Sequence, residues 1–196
     1  MSSLRKKRIF SRFLLLSILF VGCTDDRAIM TKMEAIQSMP INLCISDMMC
    51  INKSGSTLLY EDDMEIPYRM VVFSDSSECS TCALNNLSEW NVLLDFEKKK
   101  KVQLVFIFSP KKDKLDSVIK TYLSSDLEHS ILIDTCGTFL KKNQHIPEET
   151  IFHTFVLDSK GNVILVGNPL KNPKVQELFE KILMDHDSTE DNLNYG

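Results

Sequence analysis

No stretch of this chain is apolar for the roughly 20 residues that a membrane-spanning helix needs. The longest candidate, residues 13–21, is short and interrupted by Ser17. A second CxxC is also missing. The four histidines, His129, His145, His153 and His186, show no ligand spacing with the one CxxC that exists. A closed zinc site needs four ligands, so no metal and no other cofactor is expected. Beyond the first 22 residues basic runs are scarce: Lys98-Lys99-Lys100-Lys101 is the sole one there. It falls at the end of an expected helix, where cations favour the dipole, and reads as a solvated helix end. There is no internal repeat, which excludes a solenoid or propeller.

What is present starts with an export segment. Arg5, Lys6, Lys7, Arg8 and Arg12 make a positive start to the chain, and residues 13–21 make a short apolar core that ends at Gly22-Cys23. This pattern fits a secretory signal, residues 1–22, rather than part of the fold. Of the 23 Lys and Arg residues, those five leave with the segment, so 18 remain against 27 acidic residues, a formal net charge of −9. Such a chain repels nucleic acid. The remaining 174 residues suit one domain.

The stretch 71–90, VVFSDSSECSTCALNNLSEW, organises the rest. Apolar residues 70–73 lead through a polar turn, residues 74–78, to Cys79 and Cys82. Leu84, Leu87, Trp90 and Leu94 then recur at helical spacing. A buried strand therefore runs through a turn into a helix, with a CxxC at the helix start. Unpaired N–H groups and the dipole at a helix start favour a thiolate at Cys79, the form that attacks disulfides. Cys82, one turn on, is placed to resolve the mixed disulfide.

Six cysteines in an exported chain indicate an oxidising compartment. With Cys79 and Cys82 as one pair, Cys44 and Cys50 are close enough in sequence to bridge across a turn. Besides Cys23 at the end of the export segment, Cys136 is left over and is expected to be a buried structural cysteine.

In order along the chain, residues 25–40 read as a tether with a short helix, and residues 40–52 as one or two strands. Residues 53–65 read as a loop and 68–74 as the strand into the motif. Residues 102–109, VQLVFIFS, are apolar along their length apart from Gln103 and Ser109, as in a central strand covered on both faces. A helix over 113–123, a strand over 130–134 and a short helix at Phe139-Leu140 follow. Residues 154–167 form a hairpin around the turn Ser159-Lys160-Gly161-Asn162. Asn172 and Pro173 cap and open a final helix to Leu183. Residues 185–196 are acidic and aperiodic and are expected to be disordered. Alternating strands and helices indicate an α/β domain with a parallel sheet covered on both sides.

These motifs resemble known families at two places. The end of the export segment resembles a bacterial lipobox, which implies a lipid on Cys23. Thr24-Asp25-Asp26 resembles the surface-export signal of Bacteroidetes lipoproteins. The strand, the CxxC at a helix start, the βα unit and the hairpin with its terminal helix resemble the thioredoxin-like superfamily, in particular the TlpA-type and AhpC/TSA-like redoxin lipoproteins of Bacteroidetes. That resemblance spans about residues 68–183. It implies a thioredoxin-like fold with a central mixed sheet flanked by helices and the CxxC at the N-terminus of the first core helix. The expected organisation is a signal peptide (1–22), a tether and extension (23–65), a thioredoxin-like domain (66–184) and a tail (185–196).

The function it implies is a thiol–disulfide oxidoreductase acting through Cys79 and Cys82. The protein would be lipid-anchored in the cell envelope of a Gram-negative bacterium, with envelope protein thiols and disulfides as partners. Glu78 precedes Cys79 and Thr81 stands where the family often has proline. An anionic neighbour opposes thiolate formation. The family's cis-proline position falls at or near Phe152 or His153, and neither is proline. His153 is the candidate to face the cysteines and tune the thiol, with a packed or exposed loop histidine as the plainer alternative. The second reading is therefore a non-catalytic binding or structural lipoprotein whose CxxC is a stabilising disulfide. A peroxidase ranks last, because no Arg lies in the turn before Cys79.

Overall fold

A computed structural model describes residues 24–60, 62–63, 65–75 and 86–193. The described elements are α1 (Thr24–Gln37), β1 (Met49–Ile51), β2 (Thr57–Leu58), β3 (Arg69–Ser74), a 3-10 segment (Leu87–Leu93), α2 (Leu94–Lys98) and β4 (Gln103–Phe108). They continue with α3 (Leu115–Ser124), β5 (Ile131–Ile133), α4 (Thr138–Lys142), β6 (Thr154–Leu157), β7 (Val163–Val166) and α5 (Pro173–Leu193). One sheet holds all seven strands in the order β2-β1-β5-β4-β3-β6-β7.

The core of that sheet is parallel. β4 pairs with β3 along its length, from Arg69 opposite Gln103 to Ser74 opposite Phe108, and with β5 on its other side. The return strands β6 and β7 are antiparallel, as is β1 where it joins β5. β4 is the middle strand, and all six of its residues are buried. That is why residues 102–109 are apolar without alternation: helices cover both faces.

Alternation along each strand sorts the side chains onto two faces. On one face Met70, Leu104, Phe106, Phe108 and Ile133 pack under Leu87, Trp90, Val118, Tyr122, Phe179 and Leu183 from the crossovers and α5. On the other, Val71, Phe73, Val105, Ile107 and Leu132 pack under Ile36, Phe139, Ile146 and Phe152. A parallel βαβαβ unit, an antiparallel hairpin and a closing helix are the arrangement that the thioredoxin-like resemblance implies.

The hairpin turn follows its chemistry. The Asp158 carboxylate accepts from the Lys160 and Asn162 N–H groups and from Asn162 Nδ2. Partial burial pushes its pKa up, but those hydrogen bonds and the nearby Lys160 charge hold it below the usual value. Gly161 sits at φ +84°, and its carbonyl accepts the Ile41 N–H at 2.8 Å. At α5 the Asn172 side chain accepts the Lys174 N–H at 3.0 Å, the expected N-cap.

Four expectations change. Residues 24–37 are a 14-residue helix whose Ile36 is fully buried, so they belong to the domain rather than to a loose tether. The loop read over 53–65 contains the two-residue edge strand β2. The apolar spacing after the CxxC becomes a 3-10 segment before it becomes α-helix. Residues 185–193, expected to be disordered, continue α5 to Leu193. No Pro or Gly interrupts residues 174–193, and extending a helix costs far less than starting one. Among the described residues no helix is long and apolar enough to cross a membrane.

Candidate functional site

Cys79, Cys82 and Cys23, the three residues to which the sequence assigns chemistry, lie outside the described residues. The CxxC falls within residues 76–85, between Asp75 and Asn86 in sequence. The geometry available is that of the frame on either side.

That frame is a rim at the carboxyl ends of the parallel strands. The Ser109 N–H donates to the Ser74 carbonyl, and the Asp134 N–H to the Phe108 carbonyl, each at 2.8 Å. The Ser109 hydroxyl reaches the Asp134 carbonyl at 3.2 Å. From the antiparallel side, the His153 carbonyl accepts the Phe73 N–H at 2.8 Å. The ends of β3, β4 and β5 and the start of β6 are thus tied together just where the CxxC segment departs. In open α/β sheets, sites form beyond the carboxyl ends of the strands.

Asp134 builds one corner of this rim. It is 1% exposed. Its carboxylate accepts the N–H groups of Cys136, Thr138 and Phe139 at 3.2, 3.0 and 2.8 Å. Sequence reasoning does not single it out, because Asp134 lies three residues before the N-cap position, Gly137, where a capping carboxylate is ordinarily sought. Ser74, 5% exposed at the end of β3, stands in the sequence as the last residue of the expected strand and the first of a polar turn.

His153, the candidate to tune the thiols, is 2% exposed. Its ring lies edge-on to Phe73 with centroids 5.1 Å apart, and Nε2 is 3.1 Å from the Pro147 carbonyl. It is a packed histidine of the second core. The residues at the expected proline position are a 3-10 turn ending in Phe152, then His153, so side chains rather than a proline ring fill that place.

The remaining thiols differ from expectation. Cys44 and Cys50 are both buried and free, without the bridge that their sequence spacing allowed. Cys44 instead places Sγ 3.3 Å from the Asn42 carbonyl and 3.2 Å from Asn42 Oδ1. Burial pushes its pKa up, Asp47 and Asp134 add to the rise, and Lys142 opposes it, so it is a poor nucleophile. Cys136 is exposed, not buried. The turn that Asp134 caps rolls its side chain outward while β5 ends at Ile133.

Other polar features stand away from the rim. Arg69 lies at the opposite end of β3 and pairs with Asp62 at 2.8 Å. With Asn42, Cys44, Asp158 and Lys160 it lines a cleft of about 660 Å³. The described residues contain no arginine besides Arg69 and Arg27 of α1. Among the described residues, no group of three or more His, Cys, Asp or Glu side chains is placed to hold a metal ion.

No protein-family model matches the chain, and neither does any curated protein. Among solved structures it is similar to a domain of a possible thiol-disulfide isomerase from Cytophaga hutchinsonii, at 16% identity and TM-score 0.45, covering 73% of this chain and 90% of that one. It is also similar to an uncharacterized thioredoxin-like protein from Porphyromonas gingivalis, at 16% identity and TM-score 0.46, covering 72% and 91%. A third is peroxiredoxin Q from Xanthomonas campestris, at 12% identity and TM-score 0.44, covering 75% and 97%. What defines the class here is the strand order itself: parallel β5-β4-β3 continued by antiparallel β6-β7, with helices on both faces. The fold is thioredoxin-like.

Proposed function

We propose that this protein is a thiol–disulfide oxidoreductase that works through Cys79 and Cys82, tethered to a membrane of the cell envelope by lipid on Cys23. One observation carries the reading. The CxxC falls in sequence between the end of β3 and the helical segment at Leu87, and the end of β3 belongs to a rim that joins three strand ends in a thioredoxin-like sheet.

The Cys79 thiolate attacks one sulfur of a substrate disulfide. A Cys79–substrate bond forms as the substrate bond breaks, and the departing thiolate takes a proton. Cys82, deprotonated in turn, attacks the Cys79 sulfur and releases the second substrate thiol. The substrate gains two electrons, and the Cys79–Cys82 pair loses them as its own disulfide. A dithiol donor at the membrane would return the pair to its reduced form. The reverse sequence would oxidise substrates. The partners are protein thiols and disulfides of the envelope.

Cys79 stands nearer the motif's helix start, so it is the attacking thiol and Cys82 the resolving one. Cys82→Ser is expected to accumulate mixed disulfides through Cys79, and Cys79→Ser to capture almost nothing. Adducts forming equally with both variants would sink this division of labour.

The second reading is a non-catalytic binding or structural lipoprotein with a structural Cys79–Cys82 disulfide. It is favoured by the packed His153 and the 3-10 turn at the substrate-docking edge. On that reading neither variant traps substrate, and losing either cysteine lowers stability by about 2 kcal/mol or more.

A further inference from the structure

We infer that a notch in the sheet beside Tyr60 binds a small uncharged molecule, one with an apolar body and a carbonyl or similar acceptor that takes the hydrogen bond of the Tyr60 hydroxyl. The site lies apart from the rim and does not depend on the oxidoreductase reading.

The notch follows from unequal strand lengths. β4 has six residues and β5 three. Their ladder covers only Ile107 opposite Leu132 and Phe108 opposite Ile133. The start of β4 therefore has no β5 residue beside it, and the Leu104 N–H turns to the Glu97 carboxylate at 2.8 Å. The space left holds a cleft of about 580 Å³, whose lining includes Cys50 of β1, Leu58 of β2, Leu59, Tyr60, Gln103 and His129. A cleft of that size suits a small-molecule ligand.

Tyr60 carries the inference. Its hydroxyl oxygen is buried and has no hydrogen-bond partner among the described residues. Buried hydroxyls are ordinarily paired, and leaving one unpaired costs stability that phenylalanine would keep. Burial above all, with the Asp62 and Glu97 charges, pushes the Tyr60 pKa up against the opposing Arg69 charge. The phenol therefore keeps its proton and can donate it to an acceptor.

The surroundings select an uncharged ligand. The ionised groups near Tyr60 are already matched: Arg69 with Asp62 at 2.8 Å, and His129 with Glu97 at 3.1 Å. The other His129 ring nitrogen meets the Ser130 carbonyl at 2.7 Å. A charged ligand would give up its water with no counter-charge to meet. Leu58 and Leu59, 47% and 94% exposed, offer apolar walls for the body of the ligand.

The test uses the full chain and three probes of similar size, followed by ligand-observed saturation-transfer NMR at neutral pH. Acetanilide is neutral, with a ring and a carbonyl. N-Ethylaniline lacks the carbonyl, and benzoate carries a charge. Acetanilide should bind saturably, and Tyr60→Phe should weaken it by up to about tenfold, the value of one hydrogen bond. N-Ethylaniline should bind wild type no better than acetanilide binds Tyr60→Phe, and benzoate more weakly than acetanilide. Tyr60→Phe should melt at the wild-type temperature or higher, since the fold loses no hydrogen bond. Lys160→Ala, in the other cleft, should leave acetanilide binding unchanged. Acetanilide that does not saturate, or that binds Tyr60→Phe as tightly as wild type, overturns the inference. So does N-ethylaniline or benzoate binding as tightly as acetanilide, or weakening by Lys160→Ala. A Tyr60→Phe that melts lower also overturns it, because the hydroxyl then has a partner in the fold.

Discussion

Replacing Glu97 by Gln isolates one electrostatic interaction whose strength should depend on pH in a definite direction. Glu97 lies in the last turn of α2, and its carboxylate does two things. It accepts the Leu104 N–H at 2.8 Å, and it meets His129 Nε2 at 3.1 Å. The two side chains, His129 and Glu97, are 15% and 21% exposed, so water screens the pair only weakly. Burial pushes the His129 pKa down. The Glu97 hydrogen bond and charge, with the Ser130 carbonyl on Nδ1, push it up and prevail.

A pKa raised on folding means that the stabilisation is fully present below the unfolded value of about 6.5 and fades as pH rises through the higher folded value. The glutamine amide keeps an oxygen to accept the Leu104 N–H and removes only the charge. A charge-assisted hydrogen bond contributes about 1.5–3 kcal/mol and a neutral one about 0.5–1.5, so Glu97→Gln should cost about 1 kcal/mol more at pH 5.5 than at pH 8.5. For a chain of this length that is an extra drop of about 2–4 °C in Tm at the lower pH. Tyr122, pushed up to about 12 chiefly by burial, does not titrate in this window. Urea or thermal unfolding of both proteins at the two pH values supplies the numbers. A loss equal at both pH values, or larger at pH 8.5, would refute the reasoning.

Phe106 is 1% exposed at the centre of β4 and packs edge-on against Trp90 and His129. Phe106→Ala should lower unfolding free energy by about 3–5 kcal/mol in urea titration, and a loss under about 1 kcal/mol would place it outside the core. Gly161→Ala puts a Cβ 3.0 Å from the Ile41 carbonyl at a φ of +84°. It should cost about 1–2 kcal/mol, and an unchanged melting curve would count against the turn described. Cys23→Ser should abolish metabolic labelling with palmitate and alter processing, whereas unchanged labelling removes Cys23 as the lipid site.

The elements legible in the sequence share one property: their signal is local. Residues 102–109 read as a central strand because eight residues in a row are almost wholly apolar. The hairpin was visible because Ser159-Lys160-Gly161-Asn162 encode a turn between two apolar runs. The start of α5 was visible because Asn172 caps it before Pro173. Where the signal depends on neighbours far along the chain, the reading failed. β2 has two residues, too few for a periodicity, and exists because β1 offers it an edge. The outward Cys136 looked buried because it follows an apolar strand, yet three N–H groups converging on Asp134 turn it out.

The candidate site divides the same way. By itself the sequence suggested the thiol chemistry now proposed: two cysteines three apart, after a buried strand, behind a start that reads as an export segment. It also determined the alternation of elements, since hydrophobic period follows from backbone geometry alone. Only the tertiary structure decided which residues surround the place from which the motif departs. Ser74, Ser109, Asp134 and His153 are spread over about 80 residues, and they meet because parallel pairing aligns strand ends that the intervening helices separate in sequence. No local pattern encodes that convergence. It arises from the strand order, which the burial of two apolar faces stabilises and which brings these strand ends to one rim.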